Sequence, residues 1–394
     1  MWPTILLATF VGTIAAFNYT YLYIPIFNAL CGYLFGRSLE HSKSASLLCA
    51  ILIGWNPWVR ETLGNGQFEQ SVVGIIALMW ACALWSEKRM LFGGLSLAIV
   101  VLLGGLAAPN CVLSGLLGLP IIGLFSIFQK RGTLKSWVIC AVFSAIAALM
   151  VNGYHSANFN DLPQFFRPRR SDDSSMVNVA TLQSLFQSPA SSVEQFQVIH
   201  CTYLGKLPIY CLCVAIFSFR RNIGLIVLGL WMMMISLGPN TDYEGINYTL
   251  PMYYLDQFLP ILQQSGSYYR LVSGAGVALA GCAAGMFLPI KKYWPIVLCI
   301  VYYVGSNHIS EISTMNGHSV PLKVRSGIWD PELRKLRDGS GPVFDLPLVK
   351  QQGCDKNVFR YLTSFDLHER PYVHTMEPPI LYRDYEVLSQ RLQR

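Results

Sequence analysis

Charge is what this chain lacks. No charged side chain occurs from Trp2 to Gly36, and similarly bare stretches recur until about Ser306. Only 13% of the 394 residues are charged, against roughly 25% in an ordinary soluble domain, which excludes a soluble enzyme with a greasy core. No basic run interleaved with aromatics accompanies the net charge of +7, so nucleic acid is not an expected partner. The first apolar segment has no basic n-region and is followed at once by another, so no cleavable signal peptide is expected, and no lipidation motif occurs. No cysteine or histidine spacing matches a zinc site. Most of the 11 cysteines lie in apolar segments as small packing residues. Cys201 and Cys354 lie in polar segments, where a disulfide between them is one option.

What the chain does have is apolar runs. A bilayer core accepts only segments that pair their own backbone groups and carry mostly apolar side chains. The pattern predicts an all-α polytopic integral membrane protein of about eleven helices, with the lipid bilayer as its constant partner. A first hairpin, Trp2 to Phe17 and Tyr21 to Phe35, turns at Asn18-Tyr19-Thr20. Ala45 to Trp58, Ser71 to Trp85, Leu91 to Ala108, Cys111 to Phe128 and Leu134 to Val151 follow. Leu204 to Phe219, Ile223 to Leu237, Leu271 to Leu288 and Tyr293 to Val304 complete the set. Several are shorter than the roughly 20 residues of an ideal span, so one short segment is read as re-entrant.

The alternate loops give an orientation. One set carries Arg37, Lys43, Lys88, Arg89, Lys130, Arg131, Lys135, Arg220, Arg221, Lys291 and Lys292 against only Glu40 and Glu87. The other set, before the tail, carries more acids than bases. The positive-inside rule places the first set in the cytoplasm, with the N-terminus inside and the C-terminus outside. Residues 1–306 then form a transmembrane domain with external loops at 152–203 and 238–269. Residues 307–394, where bases and acids nearly balance, form a small external, periplasmic α/β cap. Val343 to Leu348 reads as a strand in that cap, and Pro251 to Pro260, rich in aromatics, reads as a helix lying in the membrane interface. No internal repeat supports a transporter-style duplication.

Three places hold polar groups able to do chemistry. The turn from Arg60 to Glu69 offers Arg60, Glu61, Gln67 and Glu69 to a headgroup or sugar, or is a solvated turn. Arg167, Arg169 and Arg170 are able to grip phosphate oxygens in pairs, or are neutralised by Asp172 and Asp173 beside them. Arg270 stands at the mouth of an apolar helix, where a charge is costly unless it snorkels to lipid phosphate or is used. The external carboxylates, Asp256 among them, and the scattered histidines have no partner that singles one out. Asn18-Tyr19-Thr20 and Asn247-Tyr248-Thr249 match the N-glycosylation pattern.

Gly64-Asn65-Gly66-Gln67 after a short helix, a long loop after the seventh helix and a Leu259-Pro260 to Arg270 approach into a Gly/Ala-rich helix form a recognisable layout. Pro342-Val343-Phe344-Asp345-Leu346-Pro347 and the later His368-Glu369-Arg370-Pro371 extend it. From Tyr21 onward this resembles bacterial multi-spanning proteins of the GT-C glycosyltransferase superfamily. The resemblance implies transfer of a sugar from a polyprenyl-phosphate donor at the outer membrane face. It implies donor binding by Arg270, Arg167, Arg169, Arg170 and Gln67, base work by Glu61 or Glu69, and a divalent metal as cofactor. The chain departs from the pattern in two ways. Its first loop, Asn18-Tyr19-Thr20, carries no carboxylate, and Ser265 and Ser267 stand where relatives often have a second arginine and a proline. The departures imply an N-terminally shortened or non-catalytic member, so the alternative reading is an accessory or scaffold subunit of a larger membrane complex.

Overall fold

In the computed structural model the backbone is described over residues 9–11, 13–64, 68–129, 131–160, 180–186, 204, 219–243, 246–258, 268–286, 343–344 and 372–373. These residues are almost wholly helical. The expected helices Leu204 to Phe219 and Tyr293 to Val304, the Cys201–Cys354 pair and nearly all of the tail lie outside them.

The first element, α1, runs unbroken over Thr13–Ser38, which corrects the expected hairpin. Asn18-Tyr19-Thr20 contains neither glycine nor proline, and the buried Thr20 hydroxyl donates to Ala16 O one helical turn back (2.9 Å). A turn there would have opened backbone pairs that a continuous helix keeps closed. The hairpin behind the inside N-terminus and the count of eleven is therefore not formed at this position. Asn18, read as part of a glycosylation pattern in a loop, is helical. The helix ends with Glu40 at φ 63°, a left-handed stop held by the His41 amide donating to Gly36 O (3.1 Å).

The next stretch is broken where one helix was expected. α2 (Lys43–Gly54) begins with Ser42, whose hydroxyl accepts from Ala45 N. It spans 12 residues, about 18 Å at 1.5 Å per residue, too short to cross a bilayer. Pro57 then opens a separate helix, α3 (Pro57–Gly64), with Asn56 Oδ1 accepting from Val59 N (2.9 Å). After α4 (Phe68–Ser71) the chain breaks again before α5 (Gly74–Trp85). The second break is closed by a residue from another helix. Asn28 of α1, fully buried, donates to Ser71 O and accepts from Gly74 N, both at 2.8 Å.

α6 (Met90–Ala107), α7 (Pro109–Phe128) and α8 (Leu134–Asn160) match the expected segments, except that α8 continues nine residues into what was read as an external loop. α9 (Leu182–Phe186), α10 (Phe219–Ser236), the hairpin β1 (Asn240–Tyr243) with β2 (Ile246–Thr249) and the expected interfacial helix α11 (Pro251–Phe258) follow. A 3-10 turn at Tyr268–Leu271 leads into α12 (Val272–Met286). In the tail, β3 (Val343–Phe344) pairs in parallel with β4 (Tyr372–Val373).

Packing separates a centre from a rim. α5 is the centre, with α1, α6 and α7 around it, α2 and α12 packed together, α10 between α7 and α12, and α8 outside α6. Across Phe68–Trp85 78% of residues are buried, whereas across α6 only 33% are. Leu91, Leu95, Ile99 and Leu103 on α6, with Val138, Val142, Ile146 and Leu149 on α8, present exposed apolar stripes at helical spacing. Such stripes are unfavourable in water and suit hydrocarbon. Trp80 fills the middle, its indole N–H donating to Gly115 O (2.9 Å). A Cβ on Gly118 would lie 2.6 Å from the Trp80 ring, so close approach of α5 and α7 requires glycine there.

Among the described residues, four stretches are long and apolar enough to cross a membrane: Phe68–Trp85, Met90–Ala107, Pro109–Phe128 and Leu134–Tyr154.

Candidate functional site

The connections gather at two ends of different chemistry. At one end the turn after α1 meets the turn after α5, where Lys88 Nζ pairs with Glu40 Oε1 at 2.9 Å. Ser126, near the end of α7, donates to Glu87, and the His41 ring lies 3.1 Å from Gly281 O of α12. Arg37, Lys43, Lys88, Arg89 and Arg131 belong to these connections, so this is the basic end.

The opposite end is aromatic and polar. Here the two breaks in the α2 to α5 stretch bring α3 and α4 against the 3-10 turn and the start of α7. Trp58 donates its indole N–H to Gln70 O (2.9 Å), and its ring lies 5.9 Å from that of Tyr269. Phe68 meets Tyr21 edge to face at 5.2 Å. The Cys111 thiol points at Glu69 O (3.7 Å). Glu69 lies on α4 and Arg270 in the 3-10 turn, and both elements pack against α7.

Arg270 is held by its neighbour. Its Nε donates to Tyr269 Oη at 3.2 Å, and its guanidinium carbon stands 5.7 Å from the Tyr269 ring centre, within cation–π range. Its own carbonyl accepts from Ser273 Oγ (2.7 Å), which ties the turn to α12. Two further polar atoms of this end are buried without a hydrogen-bond partner among the described residues: Arg60 Nε and Gln70 Oε1. Orphaned groups of this kind are uncommon in folded proteins and ask for a reason.

Behind Arg270 sits a buried acid. The Tyr268 hydroxyl donates to Asp256 Oδ2 of α11 at 2.6 Å. Burial raises the Asp256 carboxyl above the usual carboxylate range, and the Tyr268 hydrogen bond offsets part of the rise. Tyr268 is pushed up in turn, by burial first and then by the carboxylate it faces. The pair fastens α11 to the turn that carries Arg270.

Of the residues singled out in the sequence, Glu69 and Arg270 come together at this end. Glu61 lies on α3, in the same connection. Gln67, Arg167, Arg169 and Arg170 lie outside the described residues. Sequence reading passed over Trp58, Tyr269, Gln70 and Cys111 as site residues, because an aromatic or a lone thiol beside an apolar run carries no spacing signal. It counted Asp256 among interchangeable carboxylates, since its partner Tyr268 is recognisable only once α11 folds back. Among the described residues no three His, Cys, Asp or Glu side chains are grouped to hold a metal ion. The divalent metal implied by the resemblance has no described ligand set, and no step below uses one.

The described residues are mostly helical and include four stretches of membrane-crossing length and composition, as in helical membrane proteins. No family model matches it, and no curated protein matches it either.

Proposed function

We propose that this chain is a GT-C-like integral membrane protein that takes a sugar from a polyprenyl-phosphate donor at the end opposite the basic loops. The observation that carries the reading is the arginine at the mouth of α12, braced by Tyr269 in a turn that packs, like the α4 helix bearing Glu69, against α7. Broken helices at membrane depth are tolerated where they line a protein site, and a guanidinium there suits a phosphate that arrives laterally in lipid.

The chemistry follows from these groups. The donor phosphate docks on Arg270, and an acceptor hydroxyl approaches the anomeric carbon of the sugar. The new C–O bond forms as the bond from that carbon to the phosphate oxygen breaks. Glu69 receives the hydroxyl proton, and the polyprenyl phosphate leaves with its added charge against Arg270. Glu61 on α3 is the other candidate base. Arg167, Arg169, Arg170 and Gln67 are proposed to complete the donor site. Facing Arg60 Nε and Gln70 Oε1 with sugar hydroxyls would satisfy both orphaned atoms.

The basic loops favour a cytoplasmic position for their end, which supports a donor site on the external, periplasmic face of a bacterial inner membrane. The test is turnover of a polyprenyl-phosphate-sugar by the purified chain. Glu69→Gln is expected to lower turnover while leaving donor binding intact, and Glu61→Gln to show which carboxylate acts. A chain that binds no donor, and co-purifies in fixed ratio with other membrane subunits, would instead be an accessory subunit.

A further inference from the structure

The basic end carries a cleft that the sugar-transfer reading does not use. It has a volume of about 60 Å3 and lies where the α1 to α2 turn, the end of α5, the end of α7 and the start of α10 converge. Leu84, Ile122 and Leu225 make its walls apolar, while His41, Ser126, Gln129 and Arg131 are its polar lining residues. At roughly 10–15 Å3 for each water-sized probe, it has room for about four to six water-sized groups, which matches one tetrahedral phosphate.

We propose that this cleft binds the headgroup phosphate of an anionic phospholipid. The charge around it is complementary: Arg131 is exposed at the rim, and Arg37, Lys43 and Lys88 belong to the same end. The nearby acids are already engaged. Glu40 pairs with Lys88, and Glu87 accepts from Ser126. Burial lifts Glu87 above the usual carboxylate range, against the opposing pull of the Ser126 hydrogen bond and of Arg131 and Lys88. The choice of lipid over soluble phosphate rests on position and lining. The cleft sits at the tips of α1, α7 and α10, whose exposed Leu22, Ile26 and Leu30, Leu124 and Phe128, and Leu230 and Met234 suit hydrocarbon, and its apolar walls suit the glycerol and first acyl carbons behind a phosphate. Basic pockets between membrane helices on the cytoplasmic side favour anionic headgroups.

The experiment is native mass spectrometry of the full-length protein with phosphatidylglycerol, with phosphatidylcholine and with inorganic phosphate. One phosphatidylglycerol is expected to remain bound at least about tenfold more tightly than phosphatidylcholine, since the latter's choline cancels the anion. Arg131→Gln should lower retention by about tenfold, the loss expected of one charge-assisted contact, and Arg131→Lys should lower it less. Arg89→Gln, exposed at the same end but outside the cleft, should leave retention unchanged. Equal retention of the two lipids would overturn the proposal. So would an equal loss on Arg89→Gln, which would mean diffuse surface attraction, or displacement by millimolar inorganic phosphate, which would assign the cleft to the free ion.

Discussion

Asp256 shows how much one buried carboxyl does at this end of the protein. Its raised pKa means that the folded state holds the proton more tightly than the unfolded chain, where an aspartate titrates near 3.8. Its contribution to stability is therefore complete below about pH 3.8 and is lost as pH rises through the raised folded value. Asp256→Asn keeps an acceptor for Tyr268 and removes the charging cost. The midpoint of thermal unfolding in detergent is expected to fall between pH 4 and 7 by more in the native chain than in Asp256→Asn. Parallel pH profiles would contradict this. Asn28 is the second decisive residue, because its amide alone closes the α4 to α5 break from the side. Asn28→Ala leaves Ser71 O and Gly74 N buried without that amide, and should destabilise by about 2 kcal/mol. An unchanged unfolding midpoint would show that the break needs no such closure.

At the scale of elements, α5 and α7 approach closely because Gly118 leaves room for Trp80. Gly118→Val should cost about 1–3 kcal/mol by overpacking, whereas Gly153→Ala on α8, where a Cβ meets nothing within 4 Å, should be neutral or slightly stabilising. Equal effects at the two positions, read by thermal unfolding, would contradict the packing. The elements also show what sequence reading reached. α6, α7 and α8 were legible because each is a long run without charge, bounded by basic residues or proline. The hairpin at Asn18-Tyr19-Thr20 was misplaced because three polar residues looked like a loop, while Thr20 bonds within its own helix and lies buried. The breaks at Trp55-Asn56 and at Val72-Val73 were hidden for the opposite reason. The residues around them are apolar enough to continue a helix, and the Asn28 amide that closes the second lies 43 positions from Ser71. Arg270 and Glu69 were found as isolated charges near apolar runs, but the packing of both their elements against α7 depends on those breaks.

At the scale of the whole molecule, the sorting of chemistry to two ends is the main result. Basic connections gather at one end, where a small cleft lies, and aromatic and polar ones at the other, around Arg270. A reporter placed at Gly132 should lie on the opposite side of the membrane from one placed after Asn160, because α8 crosses between them. The same side for both would contradict the arrangement. The most direct test of the central claim is equilibrium binding of a polyprenyl-phosphate-sugar to the purified chain and to Arg270→Ala. The account predicts saturable binding that weakens about tenfold to a hundredfold on Arg270→Ala, the loss of roughly 1.5–3 kcal/mol expected for a charge-assisted contact, with partial recovery in Arg270→Lys. Binding unaffected by Arg270→Ala, in a protein that remains folded, would contradict it.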